Sequence, residues 1–226
     1  TILGSGSPRV CSRAGWDDVS IVVLIAVLIC YGSLLVELTI LHTPSVASSR
    51  RHWSPVEGEL DFYSKRYRRL FSLSPAHKLV RFFLPLVIVY IVFAYPLAEL
   101  WLGPALLGDY LYEPNRMVNT IAVCTMVVGR VMTLSSVIAL RGAVATENEF
   151  LQTGFVFRLS RNPGLVGMYL MFAGFWIAMP SVLFLVGLLV YVTHMHFRVR
   201  IEEDYLANRH GESFIRYRDS TPRYLL

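Results

Sequence analysis

The sequence of 226 residues is 54% hydrophobic and only 16% charged, with a mean hydropathy of +0.50, which excludes an ordinary water-solvated globule and makes the bilayer the expected solvent. Its net charge of +5 does not point to nucleic acid, because the basic residues flank apolar runs, where membrane topology and anionic headgroups account for them. Cys11, Cys30 and Cys124 show no metal-ligand spacing, so neither a metal site nor a disulfide framework is expected.

Fold reasoning begins near Trp16. An apolar run of roughly 20 residues crosses a hydrocarbon core about 30 Å thick, and five runs are candidates: Ser20 to Leu41, Phe82 to Trp101, Met117 to Leu140, Gly164 to Met179, and Ser181 to Phe197. Glu37 interrupts the first near its end. Pro85 and Pro96 in the second predict kinks rather than termination. Pro180 leaves room only for a tight helical hairpin between the last two. The expected fold is an all-α integral membrane protein of about five transmembrane helices, with a C-terminal helical hairpin and a cytoplasmic tail. Three regions follow: an extracytoplasmic segment over 1–19, a membrane region over 20–150 with three spans and a basic loop, and a region over 151–226 with two spans and the tail.

Orientation follows from lysine and arginine, which are retained on the cytoplasmic side. Arg50, Arg51, Lys65, Arg66, Arg68, Arg69, Lys78 and Arg81 between the first two spans outweigh Glu57, Glu59 and Asp61. That loop is expected inside, the N-terminus outside and the C-terminus inside. Its aromatic residues, including Trp53, Phe62, Tyr63 and Tyr67, suit a helix lying in the headgroup region.

Arg130 falls in the middle of the third run. A charge there costs about 2.5–3.5 kcal/mol on insertion scales, so it requires a protein partner or a water-filled cavity. Glu37 is a candidate partner, and Thr133 shares the face of Arg130. Structural pairing and substrate contact both remain open for Arg130.

The most specified stretch is Thr153 to Gly167, reading TGFVFRLSRNPGLVG. Asn162 is a good N-cap and Pro163 is pre-organised for the first helical turn, so a helix is expected to start there with its unpaired amides facing the cytoplasm. Arg158 and Arg161 beside a helix start make a ready anion site. Gly167 lets another backbone or a cofactor come close. A plain capped helix with arginines obeying the orientation rule explains these residues equally well.

The fifth run continues as a helix to about Arg209, beyond the hydrocarbon. Its last turns carry His194, Arg198 and Glu202 at spacings of four, hence on one face, with Glu203 beside them. Arg198 and Glu202 are suited to grip a zwitterion, or form an ordinary surface pair worth a few tenths of a kcal/mol. Gly211 is expected to cap the helix and fold the tail back, with Phe214 and Tyr217 covering the space between the two helix ends.

A Ser-Arg-Asn-Pro helix start, a tight hairpin, an Arg-x-x-x-Glu-Glu helix end at Arg198 to Glu203, then Gly211-Glu212 with Tyr217 and a Pro222-Arg223 close together resemble the isoprenylcysteine carboxyl methyltransferase family and its bacterial phospholipid-methyltransferase relatives. The likeness spans Thr153 to Tyr224. It implies an S-adenosylmethionine-dependent methyltransferase acting on a lipophilic acceptor drawn from the bilayer, an isoprenylcysteine carboxylate or a lipid headgroup. It implies cofactor contacts from Gly154, Phe157, Arg158, Arg161, Asn162, Pro163, Gly167 and Glu202, and catalytic roles for Arg198, Glu202 and Glu203. The residue reading adds Arg130 and His194, with Arg198, as substrate contacts. Asn162 replaces the histidine of eukaryotic members, Leu165 a common tyrosine and His210 a common phenylalanine; these departures leave the acceptor open. Two rival readings are a membrane reductase of the sterol-reductase type using NADPH, and a non-catalytic lipid-binding or assembly subunit. Membrane lipids are expected partners and nucleic acid is not.

Overall fold

A computed structural model of the chain describes residues 19–41, 84–102, 110–145 and 151–225. The basic loop between the first two expected spans and the segment ahead of the first lie outside the described residues. Those described fold into α1 (Val19–Leu41), α2 (Leu84–Leu102), α3 (Arg116–Ala145), a 3-10 turn (Phe155–Arg158), α4 (Pro163–Ala178), α5 (Val182–His210) and α6 (Glu212–Ser220). Among the described residues there is no strand; an isolated antiparallel bridge joins Tyr110 to Ser181.

Two helical stretches, Arg116–Leu140 in α3 and Val182–His210, are long and apolar enough to cross a membrane, while Ile21–Glu37 and Pro163–Ala178 are shorter apolar helices. At 16 residues, α4 rises about 24 Å, short of the roughly 30 Å hydrocarbon core. Helix α2 runs on through Pro96, which is fully buried. Large apolar side chains point outward on α1 (Ile21, Leu28, Ile29) and α3 (Val128, Val131, Ile138). Water would penalise that much exposed apolar surface, whereas lipid would not.

The closest packing joins α3 to α4. A Cβ added at Gly129 would lie 2.5 Å from the Gly167 carbonyl oxygen and the Met171 nitrogen, and one at Gly174 would lie 2.8 Å from the Ala122 oxygen. The two backbones touch because no side chain stands between them, the arrangement small residues permit between helices in lipid. Around this seam Val27, Val92, Met126, Met171, Phe172, Phe175 and Phe184 form the buried core. Phe93 meets Phe172 edge-on at 4.7 Å between centroids, and Tyr95 stacks on Phe184 at 5.2 Å, so α2 is held to α4 and α5 by rings. Glu99 is buried within α2 and accepts the Tyr110 hydroxyl at 2.8 Å.

A second, smaller apolar cluster of Val156, Phe157, Phe214 and Tyr217 packs against Ala139 of α3 and Leu206 of α5. It brings the 3-10 turn and α6 together above the helix ends. The chain turns into α6 at Gly211, which ends α5 with φ +54°, a backbone conformation glycine reaches without a side-chain clash. The start of α4 and the end of α5 thereby face one space.

Candidate active site

That space is a cavity of about 910 Å³. Its polar end is lined by Arg161, Asn162, Arg198, Glu202, Glu203 and Arg209; its apolar arm by Tyr31, Leu34, Phe93 and Leu97 of α1 and α2. Each polar residue is there for a local reason. Helix α4 begins at Pro163 with Asn162 as N-cap, where a missing proline N–H costs nothing. Met195, Arg198, Val199, Glu202, Leu206 and Arg209 recur at helical spacing along one face of α5.

Asn162 does not cap α4 with its side chain. Its amide donates instead to the Arg223 carbonyl at 3.3 Å, leaving the first-turn amides without a side-chain acceptor. An uncapped helix start on a cavity wall attracts an anion or carboxylate. Arg161 points the same way: Nη1 donates to the Arg218 carbonyl at 3.1 Å and Nη2 pairs with Glu203 at 3.2 Å, while Nε is buried with no hydrogen-bond partner. Burial pushes this guanidinium below its ordinary pKa, and Glu203 draws it partly back.

The neighbours Glu202 and Glu203 have different surroundings. Glu203 is 7% exposed and accepts Arg223 Nη2 at 2.6 Å and Nε at 3.0 and 3.1 Å, besides its pair with Arg161. That hydrogen bond raises the pKa of Arg223. Glu202 and Arg198 both line the cavity, and neither is tied up in an ion pair among the described residues. They offer one negative and one positive group to a ligand.

Of the residues the sequence singles out, Phe157, Arg161, Asn162, Pro163, Arg198, Glu202 and Glu203 line the cavity, together with Phe214 and Tyr217. Gly154, Arg158, Gly167, Arg130 and His194 do not. Arg158, the last residue of the 3-10 turn, is exposed. Gly167 serves the α3 backbone, since a Cβ there would lie 2.5 Å from the Gly129 oxygen. His194 falls about 100° round the helix from Met195, and Met195 takes the lining position. Arg130 is buried in the bundle: Nε donates to Ser33 Oγ at 2.5 Å and Nη2 pairs with Glu37 at 2.5 Å. Glu37 itself reaches the cavity wall.

The sequence reading gave no role to Ser160 or Arg223. The Ser160 hydroxyl donates to the Arg223 carbonyl at 3.0 Å and accepts the Asn162 amide N–H at 3.0 Å. The Arg161 N–H donates to the Pro222 carbonyl at 2.9 Å. A serine before a helix cap and an arginine in a Pro-Arg pair after the last helix were the available signals.

The fold and cavity define a helical protein with, among the described residues, two helical stretches long and apolar enough to cross a membrane and a charged pocket at two helix ends. A family model described as phospholipid methyltransferase matches residues 117–213, which run from the first turn of α3 through α5 into α6. Over this stretch the chain is similar to the phospholipid methyltransferase family, the family of isoprenylcysteine carboxyl methyltransferase-like proteins, and the match supports a methyltransferase-type domain. No curated protein and no solved structure matches the chain.

Proposed function

We propose that the protein is an integral membrane methyltransferase that uses S-adenosylmethionine to methylate a lipophilic acceptor reaching the cavity from the bilayer. One observation carries this reading: a single cavity is lined by the uncapped start of α4, by Arg198 and Glu202 of α5, which form no ion pair among the described residues, and by the apolar walls of α1 and α2. The family match supports the reaction type.

The residues fit the cofactor's chemistry. The orphan Arg161 Nε and the α4 amides would take its carboxylate, Glu202 its ammonium, and Phe157 with Phe214 its adenine ring. When bound, S-adenosylmethionine supplies an electrophilic methyl that passes by in-line displacement, the C–S electrons remaining on a neutral thioether as the acceptor's lone pair forms the new bond. The protein's contribution is alignment and exclusion of water. Arg198 would anchor an anionic headgroup, and with an amine acceptor Glu202 is placed to receive the proton. The polar end mixes acids and bases in similar number, which suits a zwitterion better than the polyanionic NADPH of the reductase reading.

Five spans with the N-terminus outside and the polar end of the cavity at the cytoplasmic face belong to the same proposal. It keeps the regions 1–19, 20–150 and 151–226, the last with 117–150 forming the enzyme. The direct test is calorimetry of detergent-purified protein with S-adenosylhomocysteine and with NADPH, followed by transfer of radiolabelled methyl groups into extracted lipids. Alanine at Arg198 or Glu202 is expected to lower kcat/KM by about 10²-fold, the scale of lost positioning. Binding of NADPH alone, or full turnover in both alanine variants, overturns the proposal.

A further inference from the structure

The tail residues Thr221 to Tyr224 do not line the cavity, yet they make an unusual share of the bonds around it. The Pro222 carbonyl takes the Arg161 N–H, and the Arg223 carbonyl takes both the Ser160 hydroxyl and the Asn162 side-chain amide. Tyr224 lies 3.0 Å from His196 Nδ1. The Arg223 side chain ends on Glu203, whose other partner is Arg161. Three segments separated along the chain, the first two by about forty positions and the last two by about twenty, are thus closed into one ring: 160–162, 203 and 222–223.

Glu203 is poorly placed to react. Both its oxygens already accept Arg223 N–H groups at 2.6–3.1 Å, and Arg161 Nη2 lies 3.2 Å from one of them. A carboxylate saturated by two cations has little lone-pair capacity left for a substrate proton. Breaking such a pair from one side strands a buried charge, so the ring is held as a unit.

We infer that Glu203 is a positioning residue: with Arg223 it straps the C-terminal tail across the start of α4 and so sets Arg161 and Asn162 on the cavity wall. Without the strap the Asn162 amide loses its acceptor and Arg161 loses one of its two side-chain anchors. The cofactor end of the cavity loosens while the α5 face carrying Arg198 and Glu202 stays as it is. The inference deepens the proposed methyltransferase reading and rests on it for the identity of the ligand.

The test uses Arg223→Ala, Arg223→Lys and Glu203→Gln in the full chain, each first checked for an unchanged helical spectrum and a monodisperse profile in detergent. Arg223→Ala and Glu203→Gln are expected to weaken S-adenosylhomocysteine binding and raise the KM for S-adenosylmethionine about tenfold. Arg223→Ala should leave kcat at saturating cofactor within about threefold of the parent, a change in binding rather than chemistry. Arg223→Lys keeps the charge without the fork and should recover part of the affinity. Chymotrypsin cleavage at Tyr224, read by intact mass without any ligand, should speed up in Arg223→Ala and Glu203→Gln. Wild-type affinity and wild-type cleavage in both variants overturn the strap. A kcat that collapses in Glu203→Gln but not in Arg223→Ala makes Glu203 a reacting group instead. A parent protein that ignores S-adenosylhomocysteine defeats the methyltransferase reading, and the cleavage assay then decides the strap by itself.

Discussion

Arg130 and Arg161 are both buried guanidiniums, both paired with a glutamate, and both left with one nitrogen lacking a partner: Nη1 in Arg130 and Nε in Arg161. Their settings differ. Arg130 stands between α1 and α3 and does not line the cavity, so its leftover N–H is a standing penalty of burying a five-donor group beside a two-point partner. Arg161 sits between helix ends on the cavity wall, so its leftover N–H, although buried, lies beside a ligand-sized space. Burial and pairing alone therefore do not separate a structural arginine from a binding one; the adjoining space does.

The largest expected effect breaks the structural member of this comparison. Arg130→Met strands Glu37, whose side chain is only 12% exposed, and should cost about 3–5 kcal/mol of stability. Adding Glu37→Leu removes the stranded charge and should recover most of that loss, measured by denaturant unfolding in micelles. A single variant no worse than the double shows that the pair contributes nothing. At the other arginine, Arg161→Met should cost less, about 1–3 kcal/mol, because Glu203 keeps Arg223. It should nevertheless lower S-adenosylhomocysteine affinity at least tenfold, whereas Arg130→Met/Glu37→Leu should leave more than half of it. Equal binding losses in the two proteins would erase the distinction between the arginines.

The two arginines also mark where sequence reasoning reaches its range. Local signals were sufficient for the helix ends: Asn162-Pro163 starts α4, and Gly211 closes α5 after His210. The five apolar runs each fall on a helix, although among the described residues only two helical stretches are long and apolar enough to span a membrane. Helical periodicity put Arg198 and Glu202 on one face, but strict spacing by four drifts about 40° per step against a 3.6-residue turn. The drift carried His194 past the edge of the cavity. What stayed illegible is long-range: nothing in Pro222-Arg223 states that the Arg223 carbonyl meets Ser160 and Asn162, 61 to 63 positions away. Glu202 and Glu203 look alike in sequence because only the folded tail tells them apart. Gly167 was read as a place of close approach, and which neighbour approaches, the α3 backbone, is again a tertiary fact.

A smaller effect probes how firmly the polar end is closed. The Tyr217 hydroxyl donates to the Phe157 carbonyl at 2.7 Å, and burial pushes its pKa up to about 12, with Arg161 pulling the other way. The unfolded chain releases this proton near pH 10 and the folded one holds it longer. The contribution is thus fully present below about pH 10 and is lost as pH rises toward 12. Stability should fall by on the order of 1–2 kcal/mol over that window through this group. Tyr217→Phe should show a correspondingly shallower fall, and parallel curves for the two proteins would mean that the hydroxyl is not held.

The smallest expected effect concerns the turn that brings the Arg161 side of the cavity under its cover. Gly211 combines φ +54° with ψ −127°, and a Cβ there would meet nothing within 4 Å. Any penalty on Gly211→Ala is therefore backbone strain, about 1 kcal/mol, without a steric clash. Asparagine often relieves such positions where the backbone is left-handed helical, but that requires ψ near about +47°, so Gly211→Asn should be no better than alanine. Both variants shift α6, and with it Phe214 and Tyr217, so their loss of S-adenosylhomocysteine affinity should exceed that of any equally destabilising change at the Arg130 pair. Unfolding midpoints and binding isotherms on the same preparations check this; an Asn variant as stable as glycine would place the residue in a different turn, and a binding loss that merely tracks stability would detach α6 from the pocket.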